Sequence, residues 1–170
     1  MHRLAAIAML GCLLLSPQAV AWRATVARPS LLLADVELVE LAPPDQRYDQ
    51  AEDAARASML SKRIRAAVVA SGHYRLLSGE GERKPPHRYI DCKACIVDWA
   101  HRHDADYVLV VWVQKESRLI LMINMALIDV AHPDRHAAGG SVDLRGDTDD
   151  TWLAGARQML DRTLAVAMPP

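Results

Sequence analysis

The sequence lacks the features that identify several classes of protein. It contains no glycine-rich phosphate loop and no Ser/His/Asp nucleophile motif. It also lacks an excess of basic charge, because 20 Lys and Arg stand against 21 Asp and Glu and the basic residues are dispersed. Nucleotide binding, nucleic-acid binding and attachment to an anionic membrane surface are therefore not expected.

Long apolar runs are also lacking, apart from a short one at the amino terminus. In "MHRLAAIAMLGCLLLSPQAVAW", Arg3 precedes an apolar core over residues 4–15, and small residues follow at positions 19–21. This pattern predicts a secretory signal peptide, residues 1–21, and hence a periplasmic protein. A lipoprotein signal ending at Cys12 is the alternative.

The rest of the chain has no segment long enough to cross a bilayer, since the apolar runs "YVLVVWV" and "LILMINMALI" are separated by the charged "QKESR". We therefore expect no stable membrane anchor after cleavage. Cleavage after Ala21 removes 21 of the 170 residues and leaves 149, residues 22–170, which suit a single periplasmic domain.

Cysteine is scarce, with three in the whole chain and only Cys92 and Cys95 outside the signal peptide. An even pair in an oxidising compartment predicts a disulfide. If Asp91 caps the following helix, both thiols lie in its first turn and are close enough to bond. A helix amino terminus also lowers thiol pKa values, so a thiol–disulfide redox site is a second hypothesis.

A metal site is the third hypothesis for the cysteines, with His87 or His103 as further ligands. The spacing C-x₂-C-x₅-H-x-H matches no standard zinc pattern. We predict a structural disulfide and no catalytic, cofactor-binding or metal-binding residue.

Hydrophobic periodicity predicts the order strand, helix, strand, helix, three strands, helix. The pattern predicts strands in "SLLLADVELVEL", "HYRLLS", "DYVLVVWVQ", "LILMINMALIDV" and "SVDLRG", and helices in "AEDAARASMLSKRIRAAVVASG", after the cysteines, and in "DTDDTWLAGARQMLDRTLAVA". This order predicts one α/β domain, with a mixed sheet of about five strands, helical crossovers and a carboxy-terminal helix.

Three local details follow from the same patterns. Strict alternation places Leu32, Ala34, Val36 and Leu38 on one face of the first strand, and Asp35 with Glu37 on the other. Residues 115–118 form a hairpin connection. Thr148 or Asp149 caps the last helix.

Further polar and aromatic residues have both a structural and a functional interpretation. The structural interpretation is favoured for each group. The histidines lie in exposed turns, the acids near the last helix cap it, and the carboxylate pair of the first strand is solvated. The amide fixes strand register by bonding a loop, and the tryptophans belong to the core. An exposed Trp99 would instead favour a protein-docking patch. The residues concerned are His132, His136, Asp147, Asp149, Asp150, Asp35, Glu37, Asn124, Trp99, Trp112 and Trp152.

The run "ADYVLVVWVQKESRLILMINMALIDV", with "CKAC" before it and "DLRGDTDDTWLAGARQML" after it, resembles an uncharacterised family of exported bacterial proteins, a domain of unknown function. Its most specific parts are "GADYVL-x-W-VQK-x-S-x-LIL" and "D-x-RG-x-TD-x-SW". Here Asp104 stands in place of Gly, and Thr151 in place of Ser. The element order is also similar to the TolB amino-terminal domain and to CsgG-like envelope proteins.

The resemblance implies a non-enzymatic periplasmic accessory or adaptor that binds a protein partner. The expected partner belongs to an envelope or periplasmic enzyme system, with a periplasmic dehydrogenase system as the specific expectation. The family has no established catalytic residues, so it assigns none here. A thiol–disulfide redox protein and a metal-binding carrier remain the alternatives.

Overall fold

The computed structural model describes residues 27–43, 50–77, 87–117, 119–166 and 168. The predicted signal peptide and Cys12 lie outside these residues. Within the described ranges, no helix has the length and apolar character needed to span a bilayer.

Six strands and three helices form one mixed α/β domain, which confirms the predicted fold class. They are β1 (Ser30–Leu33), β2 (Glu37–Glu40), α1 (Gln50–Ser71), β3 (Arg75–Leu76), α2 (Lys93–Arg102), β4 (Tyr107–Lys115), β5 (Ile120–Asp129), β6 (His136–Arg145) and α3 (Asp149–Leu164). The sheet order is β3-β1-β4-β5-β6, and β2 pairs with β4 beyond the end of β1.

The sheet is mixed because two connections cross over through helices and two are hairpins. β1 pairs in parallel with β3 and β4, and β2 pairs in parallel with β4. β4, β5 and β6 form an antiparallel meander. Parallel neighbours need a long crossover, which α1 and α2 supply, whereas short turns suffice for antiparallel neighbours.

The first predicted strand is interrupted by one extra residue, which is why six strands are observed instead of five. Leu33 lies opposite Leu109 and Glu37 opposite Trp112, so four steps along this strand match three along β4. Such a bulge moves the following side chains to the other face. Val36 and Leu38 therefore lie on the opposite face from Leu32, and the predicted single face for all of them was wrong.

The main core lies on the sheet face that α1 and α3 cover, here called the first face. Alternate residues of the central strands point into it, as the period of two requires. Its largest members include Leu31, Leu60, Ile64, Leu109, Val113, Leu121, Ile123, Met125, Trp152, Met159 and Leu160. The apolar stripe of α3 is buried in this core, and Thr148, one of the two predicted caps, is its N-cap.

Among the described residues, α2 is the helix that covers the second face. Ile96, Trp99 and Ala100 of this helix pack on Val108 and Ile128, near the start of β4 and the end of β5. The other half of the face has no helix over it in the described part of the chain. The two faces are therefore unequal: the first is a complete core and the second is half covered.

The last strand is longer than predicted. The sequence "HPDRHAAGG" suggested a turn followed by a short strand, but β6 already begins at His136. The strand continues through its two glycines, and at Gly139 the backbones approach closely: a Cβ there would lie 2.6 Å from the carbonyl oxygen of Met125. The hairpin connection also begins one residue later than predicted, because Lys115 belongs to β4.

Candidate partner-binding surface

Cys92 and Cys95 lie at the start of α2 with their sulfur atoms 2.05 Å apart and their Cα atoms 5.3 Å apart. Cys92 is the N-cap, and its Sγ accepts a hydrogen bond from the Cys95 amide. The predicted cap, Asp91, was wrong, because its carboxylate pairs with Arg88 instead. The geometry therefore permits a disulfide, and the oxidation state of the pair stays a prediction.

One histidine of the metal hypothesis, His103, has another contact. The Nδ1 atom of His103 lies 2.8 Å from the carbonyl oxygen of Trp99, one turn earlier in α2. Among the described residues, no three His, Cys, Asp or Glu side chains converge to hold a metal ion. The structure thus does not bring His87 or His103 to the cysteine pair as a ligand cluster.

Two of the three tryptophans considered above are core residues. Trp152 is fully buried and its Nε1 donates to Asp147 Oδ1 at 2.9 Å. Trp99 is 2 % exposed, so it belongs to the core as favoured, and the exposure on which a docking patch there depended is not observed. Its Nε1 is buried and has no hydrogen-bond partner in the described part of the chain.

The acidic residues before α3 belong to a buried ion network. Lys115, 2 % exposed at the end of β4, donates through Nζ to Asp53 Oδ2 at 2.6 Å and to Asp147. Burial acts to lower the pKa of Lys115, but its hydrogen bonds to Asp147 and Asp53 outweigh burial and raise it. The ammonium therefore stays charged inside the core.

A second cation completes this network. Arg56 Nη1 lies 3.3 Å from Asp53 Oδ1 and 3.3 Å from Asp147 Oδ1, so it shares both carboxylates with Lys115. Arg56 also pairs with Asp149 and Glu52 at the protein surface. The network joins the amino-terminal turns of α1 and α3 to the end of β4, and its centre, Lys115 with Asp53, is buried.

Sequence reasoning missed this network because its members are far apart in the chain. Lys115 was predicted to be a connection residue, yet it continues the first-face row of Leu109, Val111 and Val113. A charged residue at a core-facing position of an alternating strand requires buried partners. The alternation of this strand is therefore the sequence signal from which buried partners for Lys115 could have been predicted.

The predicted carboxylate pair is split by the bulge. Asp35 is exposed beside α1, whereas Glu37 accepts a hydrogen bond from the Tyr89 amide at 3.0 Å. The other carboxylate oxygen of Glu37, Oε2, is buried without a hydrogen-bond partner in the described residues. Burial raises the pKa of Glu37.

Tyr89 fixes the segment before α2 against the uncovered half of the second face. Its ring lies on Trp112 with a centroid distance of 5.3 Å, and its hydroxyl is 2.6 Å from His136 Nε2. His136 was predicted to be a solvated turn residue, and it is exposed but begins β6. His132 lies in the exposed turn, as expected, and pairs with Asp129.

Asn124 fixes the pairing of β4 with β5. It is 6 % exposed, and its Nδ2 donates to Gln114 Oε1 at 3.0 Å. The predicted role in strand register agrees with this contact, but the partner is the neighbouring strand and not a loop. Gln114 lies opposite Met122, two cross-strand pairs beyond the Trp112–Asn124 pair and on the same face of the sheet.

These residues define one surface, here called the open face. It consists of the partly exposed outward residues of β4 and β5 beyond α2, with Tyr89 at its border: Tyr89, Trp112, Gln114, Ile120 and Met122. Ile120 is 40 % exposed, and Leu119 beside it is 68 % exposed. Apolar and aromatic groups thus reach solvent at the uncovered end of the sheet.

Solved structures of other bacterial proteins are similar to this chain at low sequence identity. The LpoB carboxy-terminal domain from Salmonella enterica is 16% identical, covering 72% of this chain and 87% of that domain, with a TM-score of 0.48. PelC from Paraburkholderia phytofirmans, solved as a dodecamer, is 13% identical over 79% of this chain and 86% of its own, with a TM-score of 0.46.

Lipoprotein GNA1162 from Neisseria meningitidis is 12% identical over 71% of this chain and 83% of its own, with a TM-score of 0.43. These values do not support an argument about function, and the specific likeness to TolB and CsgG is not shown by them. No curated protein matches the sequence. Residues 29–164 match the family DUF3280, described as "Protein of unknown function (DUF2380)". Because this match spans most of the chain, the protein belongs to the DUF3280 family.

Proposed function

We propose that this protein is a non-enzymatic periplasmic accessory or adaptor that binds a protein partner through the open face. The observation that carries the proposal is the unequal covering of the sheet: α2 buries one half of the second face, while Trp112, Met122 and Ile120 reach solvent on the other. Contiguous apolar and aromatic surface bordered by polar groups is typical of protein–protein contact sites.

The placement of the charged groups supports binding over catalysis. Lys115 and Asp53 are almost completely buried and bonded to one another, so neither is available as an acid or base for a substrate. The open face instead offers an aromatic anchor, Trp112, flanked by the amides Gln114 and Asn124. Aromatic anchors surrounded by groups that exclude water contribute most of the binding energy at many interfaces.

The partner that we propose belongs to a periplasmic enzyme system, specifically a dehydrogenase system. This part rests on the resemblance of the sequence to an exported family and on the predicted signal peptide. The signal peptide is tested by the intact mass of the exported protein, which should begin at Trp22. A mass corresponding to acylated Cys12 would show that the adaptor is a lipoprotein attached to a membrane and not a soluble protein.

Site-specific photo-crosslinking in the periplasm tests the binding surface. A photoreactive amino acid at Ile120 should give one dominant adduct with a periplasmic protein, identified by mass spectrometry. The matched control is Val69, which is 60 % exposed on α1 and remote from the open face. Equal adduct patterns at the two positions would contradict the proposal.

Binding of the purified partner provides the quantitative test. Ile120→Glu places a charge at the rim of the open face and should weaken binding at least about tenfold, since desolvating an unpaired charge is costly. Val69→Glu should leave the affinity unchanged. Equal affinity for both variants would show that the partner binds elsewhere.

A further inference from the structure

β2 has a free outer edge. β3 pairs only with β1, so within the described chain no strand lies beside β2 on the side away from β4. The Leu41 amide donates to the Lys115 carbonyl of β4. Because backbone direction alternates along a strand, the amides and carbonyls of Leu38 and Glu40 point outward.

Side chains of α1 satisfy the upstream part of this edge and leave the downstream part open. Ser61 Oγ accepts the Val36 amide at 2.8 Å, and Arg65 donates to the Leu33 carbonyl at 3.3 Å. No comparable contact reaches the outward backbone groups of Leu38 and Glu40 among the described residues. A row of unpaired backbone groups at a sheet edge is a template for pairing with another chain.

A groove of about 400 Å³ lies between this edge and α1. Val36, Leu38 and Ala57 supply its apolar part. Two cations, Lys62 and Arg65, and one anion, Asp35, also line it, which leaves a net positive charge. An edge strand facing a helix across an apolar groove is the arrangement used for binding extended peptides by strand addition.

We propose that an extended acidic segment of the protein partner binds in this groove as an added strand on β2. Its backbone pairs with Leu38 and Glu40, its apolar side chains contact Leu38 and Ala57, and its carboxylates face Lys62. This inference rests on the proposed adaptor function and specifies how the partner binds. Since side chains alternate along a strand, every second side chain of the segment points to the other face, on the side of Glu37 and Val39 of β2.

Selection from a displayed library of random ten-residue peptides tests the chemistry of the occupant. The bait is the purified mature protein, and the enriched sequences should carry apolar and acidic residues together at every second position, the positions that face α1. Synthetic versions of the enriched peptides then serve as probes. A selection without enrichment, or one enriched in basic sequences, would overturn the inference.

Two variants on the exposed side of α1 test the location, each with a neighbour as its control. Ser58→Trp fills the groove, and Lys62→Glu reverses its charge; each should weaken binding of the selected peptide at least about tenfold. Ala66→Trp and Arg63→Glu lie on the same helix outside the groove and should leave binding unchanged. Equal binding by Ser58→Trp and Ala66→Trp would place the peptide elsewhere.

Hydrogen exchange provides a readout specific for strand addition. Saturation with the selected peptide should slow exchange of the Leu38 and Glu40 amides, because they gain backbone acceptors. Unchanged exchange there despite binding would overturn the inference. If the Ile120 adduct persists while these tests fail, the adaptor function stands and only the groove is wrong.

Discussion

The buried Lys115 ammonium allows a direct test of the ion network. Its Nζ atom contacts Asp53, which is 1 % exposed, and Asp147. Lys115→Met keeps the length of the side chain but leaves two carboxylates with one fewer cation. Removing one member of a buried ion pair typically costs about 3–5 kcal/mol.

The expected cost lies at the lower end of that range, because Arg56 remains 3.3 Å from both carboxylates. A loss of about 3 kcal/mol corresponds to a fall in Tm of roughly 9 °C for a chain of this size. The assay is urea unfolding at neutral pH, followed by tryptophan fluorescence and circular dichroism. Lys62→Met, at an exposed position, is the control and should change stability by less than about 0.5 kcal/mol.

The double variant Lys115→Met/Asp53→Asn distinguishes an uncompensated charge from lost packing. If the carboxylate left behind causes the loss, removing its charge should restore at least about 1 kcal/mol, the size of coupling seen between residues in contact. A Lys115→Met variant as stable as Lys62→Met would refute the account of a buried network. A double variant weaker by the sum of both single losses would refute the role assigned to charge.

Three further predictions concern separate parts of the molecule. Burial raises the pKa of Glu37 above 4.5, so its carboxyl group stays protonated to a higher pH in the folded state than in the unfolded state. The free energy of unfolding should therefore fall as the pH rises just above 4.5. Glu37→Gln should flatten this part of the stability–pH curve, measured by thermal unfolding. The double variant Cys92→Ser/Cys95→Ser should still fold, since a disulfide that closes so short a loop stabilises little. In the unchanged protein, a reduction potential of the pair above about −230 mV by glutathione titration, with a thiol pKa below about 7 by alkylation, would instead indicate a redox site. Val110→Ala should cost about 2–4 kcal/mol by leaving a cavity beneath α2, and a chemical-denaturation loss under about 0.5 kcal/mol would contradict its core position.

Local patterns were sufficient to predict the fold class. The apolar runs now seen as β4 and β5, the helical stripe of α3 and the capping residue Thr148 each depend on neighbours within a few positions. The bulge before Glu37 could not be foreseen, because it appears only when the strand is aligned with Trp112 of β4. One extra residue turns every later side chain of the strand to the opposite face of the sheet, so the face predicted for Val36 and the residues after it was wrong.

The candidate surface shows the same division between local and distant information. Trp112 and Met122 were recognisable as strand residues, but their exposure depends on how far α2 extends over the sheet. The pairing of Asp53 with Lys115 spans 62 residues, and no spacing rule connects them. Asp91 failed as a cap for a more local reason, since Arg88 competes for its carboxylate.

The ion network also has a consequence for how the chain is made. Lys115 and Asp53 are synthesised before Asp147, yet the Lys115 ammonium has both of its partners only when a carboxylate from earlier in the sequence, Asp53, and one from later, Asp147, reach it. A nascent chain ending before α3 must either leave this end of the sheet hydrated or bury a charge with half its partners, which is unfavourable. The buried ammonium therefore acquires both of its carboxylate partners only once the segment that carries Asp147, just before α3, has been added to the chain.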